Sequence, residues 1–204
     1  PAYTATAWYH KKLSSELQAD LSRTLAEAEK FALGEYASAL IKGSALSAEE
    51  KRAVVKKMAH YTGLSEEYIA RSDLRIDSSR FRKELLRKEE KTLGRYDSRF
   101  LGIDLNSVGE HPEYDPSYAV VQGPFTALVN QYLRQELKYE TDLEYRILTG
   151  KVQPWEYGNA RNRYLNVAPS LRQAMTKNPN LRLFVANGHY DLATPAFATQ
   201  YTLD

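Results

Sequence analysis

Asp191 stands just past a short apolar run, Leu181-Arg182-Leu183-Phe184-Val185-Ala186, which Pro179-Asn180 precedes and Asn187-Gly188 follows. A nearly continuous apolar run between turn residues predicts a strand buried on both faces of a parallel sheet. In open α/β sheets, ligands and catalytic groups gather at the carboxyl ends of strands, which is where Asp191 falls. The same residue type also forms turns and local caps, so position alone leaves both roles open for Asp191. Asn187 and Gly188 are read as shaping the turn that presents it, Gly188 through its permissive backbone.

Other constellations are weaker. The four histidines, His10, His60, His111 and His189, show no His-x-x-x-His or His-Glu-x-x-His spacing, and there is no cysteine, so no metal site is expected. No Gly-x-x-x-x-Gly-Lys or Gly-x-Gly-x-x-Gly loop occurs, which argues against a nucleotide enzyme and leaves no cofactor expected. Gly63-Leu64-Ser65-Glu66-Glu67 approaches the Gly-x-Ser-x-Gly elbow of a serine hydrolase but has Glu at the second glycine position. It also follows helical sequence, and Ser65 reads as a helix N-cap. Arg80 to Arg99 holds eight basic and four acidic residues. With Glu84 spaced to pair with Arg80 and Lys88, and only Phe81 and Tyr96 aromatic, it reads as a solvated helix face rather than a nucleic-acid stripe. Arg95, Asp97 and Arg99 can meet a substrate, lock one part of the fold onto another, or pair structurally. The fifteen tyrosines and two tryptophans suit the lining of an apolar cleft, although core packing accounts for most of them.

The elements that must position these residues are nearly all helical. Leu13, Leu17, Leu21 and Leu25 recur every four residues, with Ser15 and Gln18 in capping-box relation, predicting one amphipathic helix to Phe31 or Leu40. Ser47-Ala48-Glu49-Glu50 predicts a second capping box, its helix carrying Val54, Val55 and Met58 to Gly63. Ser65 opens a short helix, and Asp77 or Ser78 caps another over Arg80 to Leu93 with Phe81, Leu85, Leu86 and Leu93 as its apolar stripe. Residues 94 to 117 read as a long loop, of the kind more often functional than neutral. Asp115-Pro116 then starts a helix that Pro124 must kink or divide. Residues 141 to 164 are ambiguous, with Tyr145 to Leu148 either a strand or a helical turn. Asn166 caps a helix to Lys177, Asn178-Pro179-Asn180 turns, and Thr194-Pro195 opens a last helix.

The chain has 204 residues, 43% hydrophobic and 26% charged, with a formal net charge of +2. That composition places it among soluble globular proteins of one or two domains and excludes collagen, disulfide scaffolds and disorder. The charge names no ligand, no apolar run is long enough to span a bilayer, and the first residues lack the pattern of a secretory signal. No nucleic-acid or membrane partner is expected. The last helix stops after about two turns, and one strand cannot form a sheet, so the chain reads as a piece of a longer polypeptide.

The run Leu183 to Pro195, with Asn187-Gly188-His189-Tyr190-Asp191 at its centre, resembles the segment bearing the triad acid in the serine carboxypeptidase family of α/β-hydrolases, especially its bacterial branch. Ala5-Thr6-Ala7-Trp8-Tyr9-His10, Thr62-Gly63-Leu64-Ser65, Gly94-Arg95-Tyr96-Asp97-Ser98-Arg99-Phe100 and Trp155 resemble that branch in the same order. The resemblance implies an α/β-hydrolase fragment: a helical lid insertion over 1–150, then over 151–204 a helix-strand-helix unit of the hydrolase core carrying the acid. It implies hydrolysis of C-terminal peptide bonds by a Ser-His-Asp triad in which this chain supplies only Asp191, and export to the periplasm or beyond. The family's order of nucleophile, acid and histidine places the serine before Pro1 and the histidine after Asp204. These residues alone are then inactive, and their partners are a peptide substrate and the remainder of the hydrolase core. A stand-alone helical interaction module, and an esterase or acyltransferase on the same scaffold, are the alternatives.

Overall fold

A computed structural model describes residues Pro1–Asp204, and it is mostly helical. In order come α1 (Ala2–Tyr9), α2 (Ser15–Gln18), α3 (Leu21–Phe31), a π-turn (Ala32–Tyr36), α4 (Ala37–Lys42), α5 (Ala48–Thr62), α6 (Glu66–Arg71) and α7 (Ser78–Glu84). Two short strands follow, β1 (Thr92–Leu93) and β2 (Leu101–Gly102), then α8 (Pro116–Gln131), α9 (Ala168–Lys177) and α10 (Ala196–Leu203). The only sheet is the antiparallel β1–β2 pair, with Thr92 opposite Gly102 and Leu93 opposite Leu101.

The chain packs as two units. The first comprises Pro1–Tyr118 with Asn187–Phe197, and the second Ala119–Ala186 with Ala198–Asp204. The first holds the hydrophobic core, in which Ala7, Ile69, Phe81 and Leu93 are fully buried beside Val54, Val55, Met58 and Leu64. Leu192, from the returning segment, is buried in that same core. Tyr3 stacks on Phe81 with ring centroids 4.0 Å apart and donates its hydroxyl to the Ile76 carbonyl at 3.1 Å. Burial pushes the Tyr3 hydroxyl well above its ordinary pKa. In the second unit no residue over 119–186 is buried, and Val120, Phe125 and Leu128 of α8 stand exposed, as does Tyr132 just after it.

Local capping chemistry sets several boundaries where the sequence places them. Ser47 and Glu50 form the reciprocal capping box, and α5 ends at Gly63 in the left-handed region, φ 71°. Ser65 accepts from the Tyr68 amide to cap α6, and Asp77 accepts from the Ser79 and Arg80 amides to cap α7.

Elsewhere packing overrides periodicity. The stripe of leucines from Leu13 does not form one helix, because Asp20 is extended and caps α3 through the Arg23 amide at 3.1 Å. The buried face of α3 is Thr24, Ala28 and Phe31, and the Thr24 hydroxyl donates to the Leu17 carbonyl at 2.8 Å. The expected helix to Leu93 stops at Glu84, so Leu93 enters the core from β1 instead. Pro124 sits inside α8 without dividing it, in an exposed position where its missing N–H removes one ladder bond. Tyr145 to Leu148 is neither strand nor helix.

The strand expected over Leu181 to Ala186 is not formed. No second strand lies beside it to complete a ladder, and Phe184 is 89% exposed. The helix-strand-helix unit is therefore here a helix, an apolar segment without regular structure and a helix.

The α5 cap carries a pH signature. The Lys42 ammonium, then the Ser47 amide and hydroxyl, hold the Glu50 carboxyl down from 4.5 to about 2. A carboxyl depressed on folding contributes its full stabilisation above pH 4.5 and loses it as pH falls through about 2. Glu50→Gln is expected to lower the thermal unfolding midpoint at neutral pH, with the gap from wild type closing as pH approaches 2. A gap that stays constant down to that pH would show that the ionised carboxylate is not its source.

Candidate functional site

Asp191 lies in a turn that closes through its own amide donating to the Gly188 carbonyl at 3.3 Å. Its carboxylate is occupied locally: Oδ1 accepts from the Ala193 amide at 2.7 Å and the Thr194 amide at 2.9 Å, and Oδ2 from the Thr194 hydroxyl at 2.7 Å. Thr194 therefore serves this turn with its hydroxyl. The Asn187 side chain donates to the Thr194 carbonyl at 3.3 Å and closes the other side of the same turn. Gly188 does not use the left-handed region; the positive-φ glycines are Gly43, Gly63 and Gly158. A carboxylate offers about four acceptor sites, so three bonds leave one, on Oδ2, for a donor from elsewhere.

The residues on either side of Asp191 are held by the loop over 94–100. Ser98 N–H donates to the Tyr190 carbonyl at 2.9 Å, and Leu192 N–H donates to the Arg95 carbonyl at 2.9 Å. Asp191 thus sits between two backbone bonds to one loop, while the buried Leu192 side chain anchors the segment in the core.

Ser98 is completely buried and uses every polar atom it has. Its hydroxyl lies 2.7 Å from the Thr6 hydroxyl, and Thr6 already donates to the Ala2 carbonyl at 2.9 Å, so Ser98 is the donor between them. Its carbonyl lies 2.7 Å from His10 Nε2, which fixes the proton of the neutral imidazole on that nitrogen. Burial of His10 lowers its pKa, and the bond to Ser98 opposes that shift. Through Ser98, α1 and the Asp191 turn are fixed to the same point.

The loop is itself tightly built. Gly94 N–H donates to the Phe100 carbonyl at 2.9 Å, and a Cβ at Gly94 would lie 2.3 Å from the Asp97 carbonyl oxygen and 2.7 Å from Ser117 Cβ. Asp115 accepts from the Arg95 amide at 2.9 Å, and the Ser117 hydroxyl accepts from the Tyr96 amide at 3.0 Å. Arg99 forks onto the Asp97 carboxylate through Nε and Nη2, the shortest contact being 2.6 Å, and holds that carboxyl below its ordinary pKa. The Arg99 guanidinium carbon lies 5.0 Å from the centre of the Tyr190 ring, and the Tyr9 ring meets Tyr190 edge-on at 5.4 Å.

The basic stretch from Arg80 is divided, with Lys88, Arg95 and Arg99 exposed and two of its cations turned inward. Arg82 and Lys83 are buried. Arg82 Nε donates to the Leu93 carbonyl at 2.9 Å, and Lys83 pairs with the buried Asp104 while donating to the Asn106 carbonyl at 2.6 Å. Arg87 reaches the Ser107 and Gly109 carbonyls, and Arg80 pairs with Glu110 at 2.8 Å. These cations fasten the remainder of the long loop to α7 and the turn after it, through backbone oxygens and through the Asp104 and Glu110 carboxylates.

His60, His111 and His189 are exposed and stand apart, and no group of three or more potential ligands gathers anywhere in the chain. Ser65 is the N-cap of α6. The structure brings together Asp191, Tyr190, the 94–100 loop and the end of α1. Ser98, Thr6 and His10 carry no signal of that role in the sequence, since a hydroxyl in a loop and a histidine at a helix end match no spacing rule. No family model matches the chain, and no curated protein or solved structure matches it.

Gly94 admits no side chain where it stands. Gly94→Ala must push the backbone of Asp97 or Ser117, and a destabilisation of about 1–3 kcal/mol in urea unfolding is expected. A loss under about 0.5 kcal/mol, the range of ordinary surface changes, would show that the loop yields freely.

Proposed function

We propose that this chain is part of a serine carboxypeptidase and supplies Asp191 as the orienting acid of a Ser-His-Asp triad. The observation that carries this reading is the seating of Asp191. Its backbone is bracketed by two bonds to the 94–100 loop, three bonds orient its carboxylate, and one acceptor site is left over. Three of the stretches that resemble the family, around His10, around Ser98 and around Asp191, are also those that meet at this site.

In this reading the serine oxygen attacks the carbonyl carbon of the C-terminal peptide bond, and its proton passes to the histidine. The C–N bond then breaks, the released amino acid takes that proton, and water repeats the sequence on the acyl-serine to free the shortened peptide. Asp191 stays ionised, holds the imidazole tautomer and stabilises the imidazolium. In this reading the serine and histidine belong to chain outside these 204 residues, because no Gly-x-Ser-x-Gly elbow occurs among them and no histidine follows Asp191. An α/β-hydrolase core is the natural cover for the exposed apolar residues of α8 and of Leu183 to Val185, the latter adding as a strand to its sheet. Export from the cytoplasm belongs to the same proposal.

In the full-length protein, Asp191→Asn is expected to lower kcat on blocked dipeptides by roughly 10⁴ with the unfolding midpoint little changed. A loss of less than tenfold would remove Asp191 from the triad. Turnover of simple esters with no detectable cleavage of blocked dipeptides would favour an esterase on this scaffold.

A further inference from the structure

We infer that Arg99 is a positioning residue for Asp191, acting through Tyr190; this rests on Asp191 being the orienting acid. The Asp97–Arg99 pair is made within one turn, since Asp97 also accepts the Arg99 amide at 3.0 Å. Nearly half of the Arg99 side chain is exposed, and such a pair adds little to global stability. Its effect is geometric. The fork on Asp97 fixes the plane of the guanidinium, and the guanidinium lies against the ring of Tyr190. Tyr190 shares a peptide bond with Asp191 and gives its carbonyl to Ser98, so a turn of this residue moves the carboxylate directly. An orienting group displaced by about 1 Å costs on the order of 10²-fold in rate.

The test is steady-state kinetics of the full-length protein on a blocked dipeptide, comparing Arg99→Ala and Arg99→Lys with Asp191→Asn. Arg71→Ala, which breaks the exposed Glu67–Arg71 pair at 2.9 Å, controls for the loss of a surface ion pair. Arg99→Ala is expected to lower kcat by roughly 10 to 10²-fold, with KM within about twofold and the unfolding midpoint matching the Arg71→Ala control. Arg99→Lys keeps the charge but loses the fork and the flat stack, so it recovers only part of the rate.

The acidic limb of the kcat/KM profile separates geometry from charge. Removing a cation raises the pKa of a nearby imidazole, whereas pulling its carboxylate partner away lowers it. Positioning requires the limb to move to lower pH in Arg99→Ala. Full rescue by Arg99→Lys, a limb that moves up, or a kcat within twofold of wild type would overturn the inference. If the last result came with an Asp191→Asn variant that is inactive, the triad assignment would stand without it. An active Asp191→Asn would remove the assignment itself.

Discussion

The geometry around Asp191 depends on one buried serine. Ser98 has no accessible surface, and its three polar groups tie two segments to the loop: the amide bonds the Tyr190 carbonyl, while the carbonyl and hydroxyl bond His10 and Thr6 at the end of α1 and within it. A buried polar group left without a partner costs about 1–3 kcal/mol, so the three bonds are mutually enforcing. If α1 shifts, the Ser98 hydroxyl and carbonyl lose their partners; if the Asp191 turn shifts, its amide does. An apolar residue at this position would keep the two backbone bonds and lose the hydroxyl bond, leaving the buried Thr6 hydroxyl without its donor. Gly94 sets the distance at which this can happen, because any side chain there would hold the loop away from Ser117 and from its own turn.

The helix caps were legible in the sequence because they are decided within four residues. Ser47 with Glu50, Ser65 and Asp77 each satisfy amides that the first helical turn leaves free, whatever the rest of the chain does. Boundaries that tertiary contacts decide were not legible. Leu13 to Leu25 has helical period, yet the Asp20 cap and the Thr24–Leu17 bond interrupt it, and the buried face turns to Ala28 and Phe31. The run Leu181 to Ala186 has strand composition, but a strand needs a partner ladder, and the β1–β2 pair is the only one the chain supplies. Asp191 itself was legible as a turn residue after an apolar run. Its two backbone neighbours were not, since they come from residues 95 and 98, almost a hundred positions away.

The basic stretch departs from a solvated helix face at Arg82 and Lys83, for a physical reason. Alternating basic and acidic residues after Arg80 have the spacing of a solvated helix, and helical pairing is the cheapest explanation for such a pattern. The loop over residues 103–114 changes the outcome by presenting backbone carbonyls to the cations. Buried cations are tolerated when they satisfy such groups, so Arg82 meets Leu93 and Tyr114 while Lys83 meets Asn106 and the buried Asp104. Desolvation, with the nearby Arg95 charge adding to it, lowers the Arg82 pKa, and the carbonyls keep the ion in place. A long loop with little regular structure thereby becomes a fixed floor beside the 94–100 segment.

The two roles open to Asp191, turn former and orienting acid, are compatible in this arrangement. The bonds from Ala193, Thr194 and the Thr194 hydroxyl hold the carboxylate in one rotamer, as any turn-forming aspartate would be held. They also do what an orienting acid needs. Were a histidine to meet it, the carboxylate's direction would already be set, and no reorganisation would be required on charging the imidazole. A carboxylate free to rotate would lose that freedom at every encounter. A turn that consumed all of its acceptor sites would have nothing to offer a base. Asp191 lies between these limits, with the remaining site on Oδ2, the oxygen that takes a single bond.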